Sequence, residues 1–189
     1  MMTPEERAKS LREEADRVLK MVQLKKHCAS IGQIVLTGSY FMDLMMYPDI
    51  DLYLPPTTIE NFLTIATMLA QYDCVKQIVF EKGGPAELSK GLYLKPLIEY
   101  GNWKRPWKID IWSLPLDVVD KKQKELQDFK NRMTPTQRRL ILEYKFSILT
   151  ETERTPMFSG IYIYRAVINL GLKDFTKITK YLRENGINI

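Results

Sequence analysis

Apolar residues recur at helical intervals through Leu11, Ala15, Val18, Leu19, Val22 and Leu24, which predicts one amphipathic helix running to about residue 29. Thr3, Pro4 and Glu6 supply its N-cap, first-turn proline and the reciprocal glutamate of a capping box, and the Ser30-Ile31-Gly32 turn stops it. The period then drops to two. Residues 33–37 read as a short β-branched strand broken by Gly38-Ser39, and residues 49–54 alternate strictly up to Pro55-Pro56 as a second strand. Between them, residues 40–46 read as a short helix or turn that ends at Pro48.

Thr57 is expected to cap a helix reaching about residue 72, with Ile59, Phe62, Leu63, Ala66 and Leu69 as its buried stripe. Residues 75–80 form another strand, followed by a Gly83-Gly84-Pro85 loop. Residues 91–100 and 107–114 pair as a hairpin across the turn GNWKRP. After Pro115 only helical patterns follow, at 117–131, 136–149, 157–170 and 173–185. The expected fold class is α+β: a small mixed sheet flanked by helices, then a C-terminal helical segment.

Bulk composition narrows the chemistry. With 189 residues the chain suits one domain with a helical appendage, and 28 basic against 23 acidic residues leave a net charge of +5. That mild excess suits a polyphosphate ligand and is no strong sign of nucleic acid. Cys28 and Cys74 lack paired-ligand spacing, so neither a disulfide nor a zinc site is expected and the thiols suit a reducing cytoplasm. The charged start MMTPEERAKSLREE is unlike a signal peptide, and no apolar run has membrane-spanning length, so a soluble cytoplasmic protein without a membrane partner is expected. His27 is the single histidine, late in a helix among lysines, and reads as a surface residue; Ser-His-Asp and Cys-His catalysis have no support.

Three features then stand in order: a strand ending in Gly38-Ser39, the run Asp49-Ile50-Asp51, and Ile109-Asp110-Ile111. Alternation puts Asp49 and Asp51 on one strand face, with Ile50, Leu52 and Leu54 on the other. Asp110 is framed in the same way. If the two strands are neighbours, three carboxylates converge. Their repulsion calls for a divalent cation, and hard oxygen ligands select Mg2+ or Mn2+. Glycine at the preceding turn lets backbone approach a phosphate.

These residues, TGSYFMDLMMYPDIDLYL followed by WKIDIW, resemble the nucleotidyltransferase superfamily of DNA polymerase beta type, including its small antibiotic-modifying members. The resemblance implies that Gly38 and Ser39 hold a nucleoside triphosphate, that Asp49 and Asp51 bind the two metals, and that Asp110 binds one metal and helps deprotonate an acceptor hydroxyl. It makes residues 1–115 a nucleotidyltransferase-like catalytic domain and 116–189 a helical segment packed on it. The implied reaction moves a nucleoside monophosphate, AMP from ATP by family frequency, onto a hydroxyl of a small-molecule or protein acceptor. Many small members carry an arginine after the Gly-Ser pair, where this chain has Tyr40-Phe41-Met42-Asp43, so the triphosphate needs another cation. Lys145 and Arg165, with aromatic neighbours Tyr144, Phe146, Tyr162 and Tyr164, are the candidates.

Blander readings sit beside these. Asp43 reads as a helix-surface residue, and Lys104, Arg105 and Lys108 as solvated turn charges. An EF-hand at Asp49 lacks the glycine and distal glutamate, and a glycosyltransferase would need a longer nucleotide-binding region before its Asp-x-Asp. A non-catalytic nucleotide- or partner-binding protein, such as a nucleotidyltransferase-like antitoxin component, is the open alternative.

Overall fold

A computed structural model describes residues 2–85, 88–155 and 160–189. Helix α1 (Pro4–Met21) opens on the expected box: the Thr3 hydroxyl accepts from the Glu6 amide at 3.2 Å, and the Glu6 carboxylate accepts from the Thr3 amide at 2.8 Å. The helix does not continue to residue 29. Gln23 takes a left-handed conformation (φ 46°), and a second short helix, α2 (Leu24–Cys28), follows. Val22 and Leu24 are both fully buried, yet in one helix they would point about 200° apart. The break lets both reach the core.

The sheet runs β1-β2-β5-β4-β3, from β1 (Val35–Thr37), β2 (Asp49–Leu54), β3 (Val75–Lys82), β4 (Leu92–Ile98) and β5 (Trp107–Ser113). β2 and β5 pair in parallel, and the other neighbours are antiparallel, including the anticipated β4–β5 hairpin. Between β1 and β2 the chain makes α3 (Gly38–Met42), which begins at Gly38 itself. Asp43 ends α3 in a left-handed conformation (φ 57°), and Arg138 holds its carboxylate at 2.8 Å.

One face of the sheet is dry. Ile50, Leu52, Ile109 and Ile111 are completely buried against Leu11, Ala15 and Val18 of α1 and Phe62, Ile65 and Leu69 of α4 (Ile59–Leu69). Thr58 caps α4 instead of Thr57, accepting from the Asn61 amide at 3.2 Å. Ile59 and Leu63 are 37% and 40% exposed, so the expected stripe is corrected. A face centred on Phe62, Ile65 and Leu69 leaves both round the side of the helix. His27, read as a surface residue, is partly buried with its Nε2 3.0 Å from the Tyr72 hydroxyl.

A second core gathers the C-terminal helices α5 (Leu116–Arg132), α6 (Pro135–Ser147), α7 (Ile161–Tyr164) and α8 (Phe175–Glu184), with a π-helical turn at Arg165–Asn169 after α7. The expected helix at 157–170 begins on residues outside those described. Met42 at the end of α3, with Leu44 and Met46 from the segment between α3 and β2, is buried in this core together with Ala8 of α1. The approach to β2 is thereby fixed by the helices that follow the sheet.

Candidate active site

Strand register assembles the acids. Asp51 stands opposite Asp110 across the parallel β2–β5 pair, and Asp49 stands opposite Lys108. Alternation turns all four side chains away from the helix-covered face, since their neighbours Ile50, Leu52, Ile109 and Ile111 fill it. The three aspartates each offer an oxygen, and these oxygens lie within 4.8 Å of one another. The side chains are sheltered, with Asp49 15% and Asp110 14% exposed.

Protein donors already reach two of these acids. Lys108 Nζ donates to Asp110 Oδ2 at 2.6 Å and lies 3.3 Å from Asp49 Oδ1. The Tyr93 hydroxyl donates to Asp110 Oδ1 at 2.5 Å, and the Tyr93 ring stacks on Trp112 with centroids 4.5 Å apart. Asp49 Oδ1 is buried and pairs with Lys108 without a well-directed hydrogen bond, and the hydroxyl of Thr37, which stands opposite Asp51 across the β1–β2 pair, is buried with no hydrogen-bond partner among the described residues. The reading of Lys108 as a solvated turn charge is corrected: its side chain is 20% exposed and bridges two carboxylates. Lys104 does stay in water, 64% exposed and 3.6 Å from Glu153.

Burial sets the electrostatics. It pushes Asp49 up to about 6, with Lys108 opposing the rise and Asp110 adding to it. It pushes Asp51 well above the carboxylate range, helped by Asp49 and Asp110. Burial disfavours the Lys108 ammonium, but Asp49 and Asp110 outweigh that and hold it above the ordinary lysine value. Burial, and its bond to Asp110, raise the Tyr93 phenol. Oxygen-only acids that resist ionising in isolation are the donor set that a hard divalent cation satisfies.

Gly38 and Ser39 border this cluster. Gly38 has φ +60°, and a Cβ there would lie 2.1 Å from Asp51 Oδ2 and 2.8 Å from its Cγ. Glycine is thus required because the Asp51 carboxylate packs directly on the turn. Ser39 Oγ accepts from Lys145 Nζ at 2.9 Å and lies 3.2 Å from the Tyr164 hydroxyl. Lys145 is 2% exposed, and its ammonium also donates to the Leu44 carbonyl at 2.5 Å. Burial pulls Lys145 down to about 8, against the upward pull of Asp49 and Asp51. Two C-terminal elements, α6 and α7, therefore close over the Gly-Ser turn.

Arg165 sits one residue beyond Tyr164 but turns to Glu125 of α5, with hydrogen bonds of 3.0 and 2.7 Å. Lys145 thus joins the predicted Gly38-Ser39 pair, and Arg165 lies with α5. Three residues around the acids and the Gly-Ser turn were not assigned to the site from the sequence. Lys108 carried a usable signal, since two residues before Asp110 on a strand means the same face. Tyr93 was accessible only through the hairpin register that sets it opposite Trp112. Tyr164 lies 125 positions from Ser39, with no local pattern to announce it.

No protein-family model matches the sequence, and no curated protein matches it. Solved structures do. The Cid1 poly(U) polymerase with MgGTP bound has a TM-score of 0.57 at 14% identity, covering 84% of this chain and 49% of that one. A cytoplasmic RNA terminal U-transferase has a TM-score of 0.54 at 14% identity, covering 82% of this chain and 47% of that one. The non-canonical poly(A) polymerase complex GLD-2–GLD-3 has a TM-score of 0.55 at 14% identity, covering 90% of this chain and 59% of that one. The chain spans about half the length of the first two. Its five-stranded mixed sheet with flanking helices shares the fold of these polymerases and of the U-transferase.

Proposed function

We propose that the chain is a metal-dependent nucleotidyltransferase that moves a nucleoside monophosphate, AMP from ATP, onto an acceptor hydroxyl. The observation that carries this reading is the pairing of Asp51 with Asp110, which with Asp49 puts three ligand oxygens within 4.8 Å beside the Gly38-Ser39 turn. The donor set fits Mg2+ or Mn2+, held by Asp49, Asp51 and Asp110. Bound there, such ions supply charge neutralisation for an in-line phosphoryl displacement.

The chain's own groups do the rest in this proposal. Gly38 and Ser39 bind the triphosphate, and Lys145, already on Ser39 Oγ, meets its charge. Arg165 adds a second cation by exchanging Glu125 for phosphate. Asp110, oriented by Tyr93, accepts the proton of the acceptor hydroxyl as that oxygen attacks the α-phosphorus and pyrophosphate leaves. Residues 1–115 serve as the catalytic unit and 116–189 as the helical segment that delivers Lys145 and Tyr164. The support for this division is that both side chains reach Ser39 from α6 and α7.

The acceptor is assigned as a hydroxyl of a small molecule or a protein. The likeness to a poly(U) polymerase and a terminal U-transferase favours a second acceptor, the end of an RNA. The test incubates the protein with each α-labelled nucleoside triphosphate and Mg2+ or Mn2+, over RNA oligonucleotides, proteins and hydroxylated small molecules. Metal-dependent transfer that disappears in D49N, D51N and D110N is expected. Titration showing no metal-dependent nucleotide binding would overturn the reading. Binding without transfer to any acceptor would favour the non-catalytic alternative.

A further inference from the structure

We propose that Lys108 is a tethered cation that stands in for a divalent ion between Asp49 and Asp110, so that the site loads by exchange and not by simple addition. The inference rests on the metal-binding reading above and concerns how that site is regulated. Lys108 shares the acidic face of β5 with Asp110 and lies directly across β2 from Asp49. Its ammonium sits 2.6 Å from Asp110 Oδ2 and 3.3 Å from Asp49 Oδ1, among the ligand oxygens themselves.

Among the described residues no other cation forms a hydrogen bond or ion pair with these two acids; the Arg105 charge acts on both only from a longer distance. Lys145 is committed to Ser39 and the Leu44 carbonyl, and Tyr93 offers Asp110 a neutral hydroxyl. The charge of the Asp49–Asp110 pair is therefore met by Lys108 alone within hydrogen-bonding distance among the described residues. A doubly charged ion on the same oxygens would face that ammonium at a few Å in a sheltered site, where repulsion is screened little. Lys108 must withdraw for the ion to bind, and its flexible four-carbon stem allows it. Once released, it faces whatever anion arrives next, and the chemistry that suits it is a phosphate. The lysine thus weakens metal binding when no nucleotide is present and couples the two ligands.

The experiment titrates Mn2+ into the full chain and follows binding by electron paramagnetic resonance, with D51N as the metal-binding control. K108M is expected to bind Mn2+ roughly tenfold or more tighter than wild type, because an opposing charge has gone. K108R, which keeps the charge, should stay near wild type. Metal-free K108M should melt below wild type and recover when Mn2+ is added. A folded K108M whose Mn2+ affinity equals or falls below that of wild type overturns the proposal. A second measurement avoids substitution altogether: the Lys108 15Nζ resonance of the wild-type chain should move on saturation with Mg2+. If Mg2+ binds while that resonance stays put, the exchange is wrong. If neither wild type nor K108M binds metal better than D51N, the metal-binding reading itself fails and takes the exchange with it.

Discussion

On one side of the β2–β5 pair, Ile50, Leu52, Ile109 and Ile111 are buried to the last atom against α1 and α4. On the other, Asp49, Asp51 and Asp110 stand almost as sheltered, with Lys108, Tyr93 and the Gly38 turn around them. The backbone is shared, so the contrast isolates what side chains do. The apolar side gains stability from every group it hides. The acidic side conceals charge whose compensation is incomplete, as the raised Asp49 and Asp51 carboxyls record. Stability is built on one surface and given up on the other, as the proposed metal site would require.

Substitutions on the two sides should therefore move activity and stability in opposite directions. Asp51→Asn is expected to lower kcat/KM by about 10³-fold or more, on the order of 4 kcal/mol, because a proposed metal ligand is lost. The same change should raise the melting temperature of the metal-free protein at neutral pH, since a carboxyl whose ionisation burial opposes is replaced by a neutral amide. A metal-free D51N that melts lower than wild type would break the comparison. Ile109→Ala, one position from Asp110, should cost about 3 kcal/mol in denaturant unfolding through lost transfer energy and a cavity. Its metal affinity should change far less than its stability.

Gly38→Ala probes the seam between the two sides. Its Cβ would meet Asp51 Oδ2 at 2.1 Å in a backbone region that favours glycine, so a loss of about 2 kcal/mol is expected, together with weaker metal binding. A G38A protein with unchanged metal affinity would show that Asp51 can shift freely.

pH offers a gentler handle. Asp49 titrates near 6 in the fold against 3.8 for an ordinary aspartate, so the folded state holds more protons between those values. Stability of the metal-free chain should then fall as pH rises from about 4 through 6, on the order of 1–2 kcal/mol, and saturating Mg2+ should reverse the slope. Lys145 works the other way. Its value near 8 lies below the ordinary 10.5, so stability should rise as pH climbs between them.

The same contrast explains what the sequence made legible. Strict alternation in Asp49–Leu54 and around Asp110 assigned each side chain to its face before any pairing was known. The capping box at Thr3 and the β4–β5 turn were equally local signals. What escaped was set by tertiary demands. Gln23 breaks its helix because Val22 and Leu24 must both reach one core, and α4 rotates so that Ile59 and Leu63 face outward. The acids could be found by pattern, but Tyr164, which meets Ser39 from the far end of the chain, could not.

The smallest effect expected concerns Arg165, the cation that the aromatic context singled out and the fold ties to Glu125. Both side chains are more than a third exposed (39% and 36%), so their ion pair contributes well under about 1 kcal/mol to stability. A bond that weak can be exchanged for a phosphate at little cost. Arg165→Ala should therefore shift the melting temperature barely at all, while raising the nucleotide Kd about threefold, which isothermal titration resolves. Glu125→Gln should act in the opposite sense, releasing the guanidinium and tightening nucleotide binding by a similar factor. If both variants leave the Kd where it was, Arg165 is a surface partner of α5, and the triphosphate's cover comes from Lys145 and the metal site.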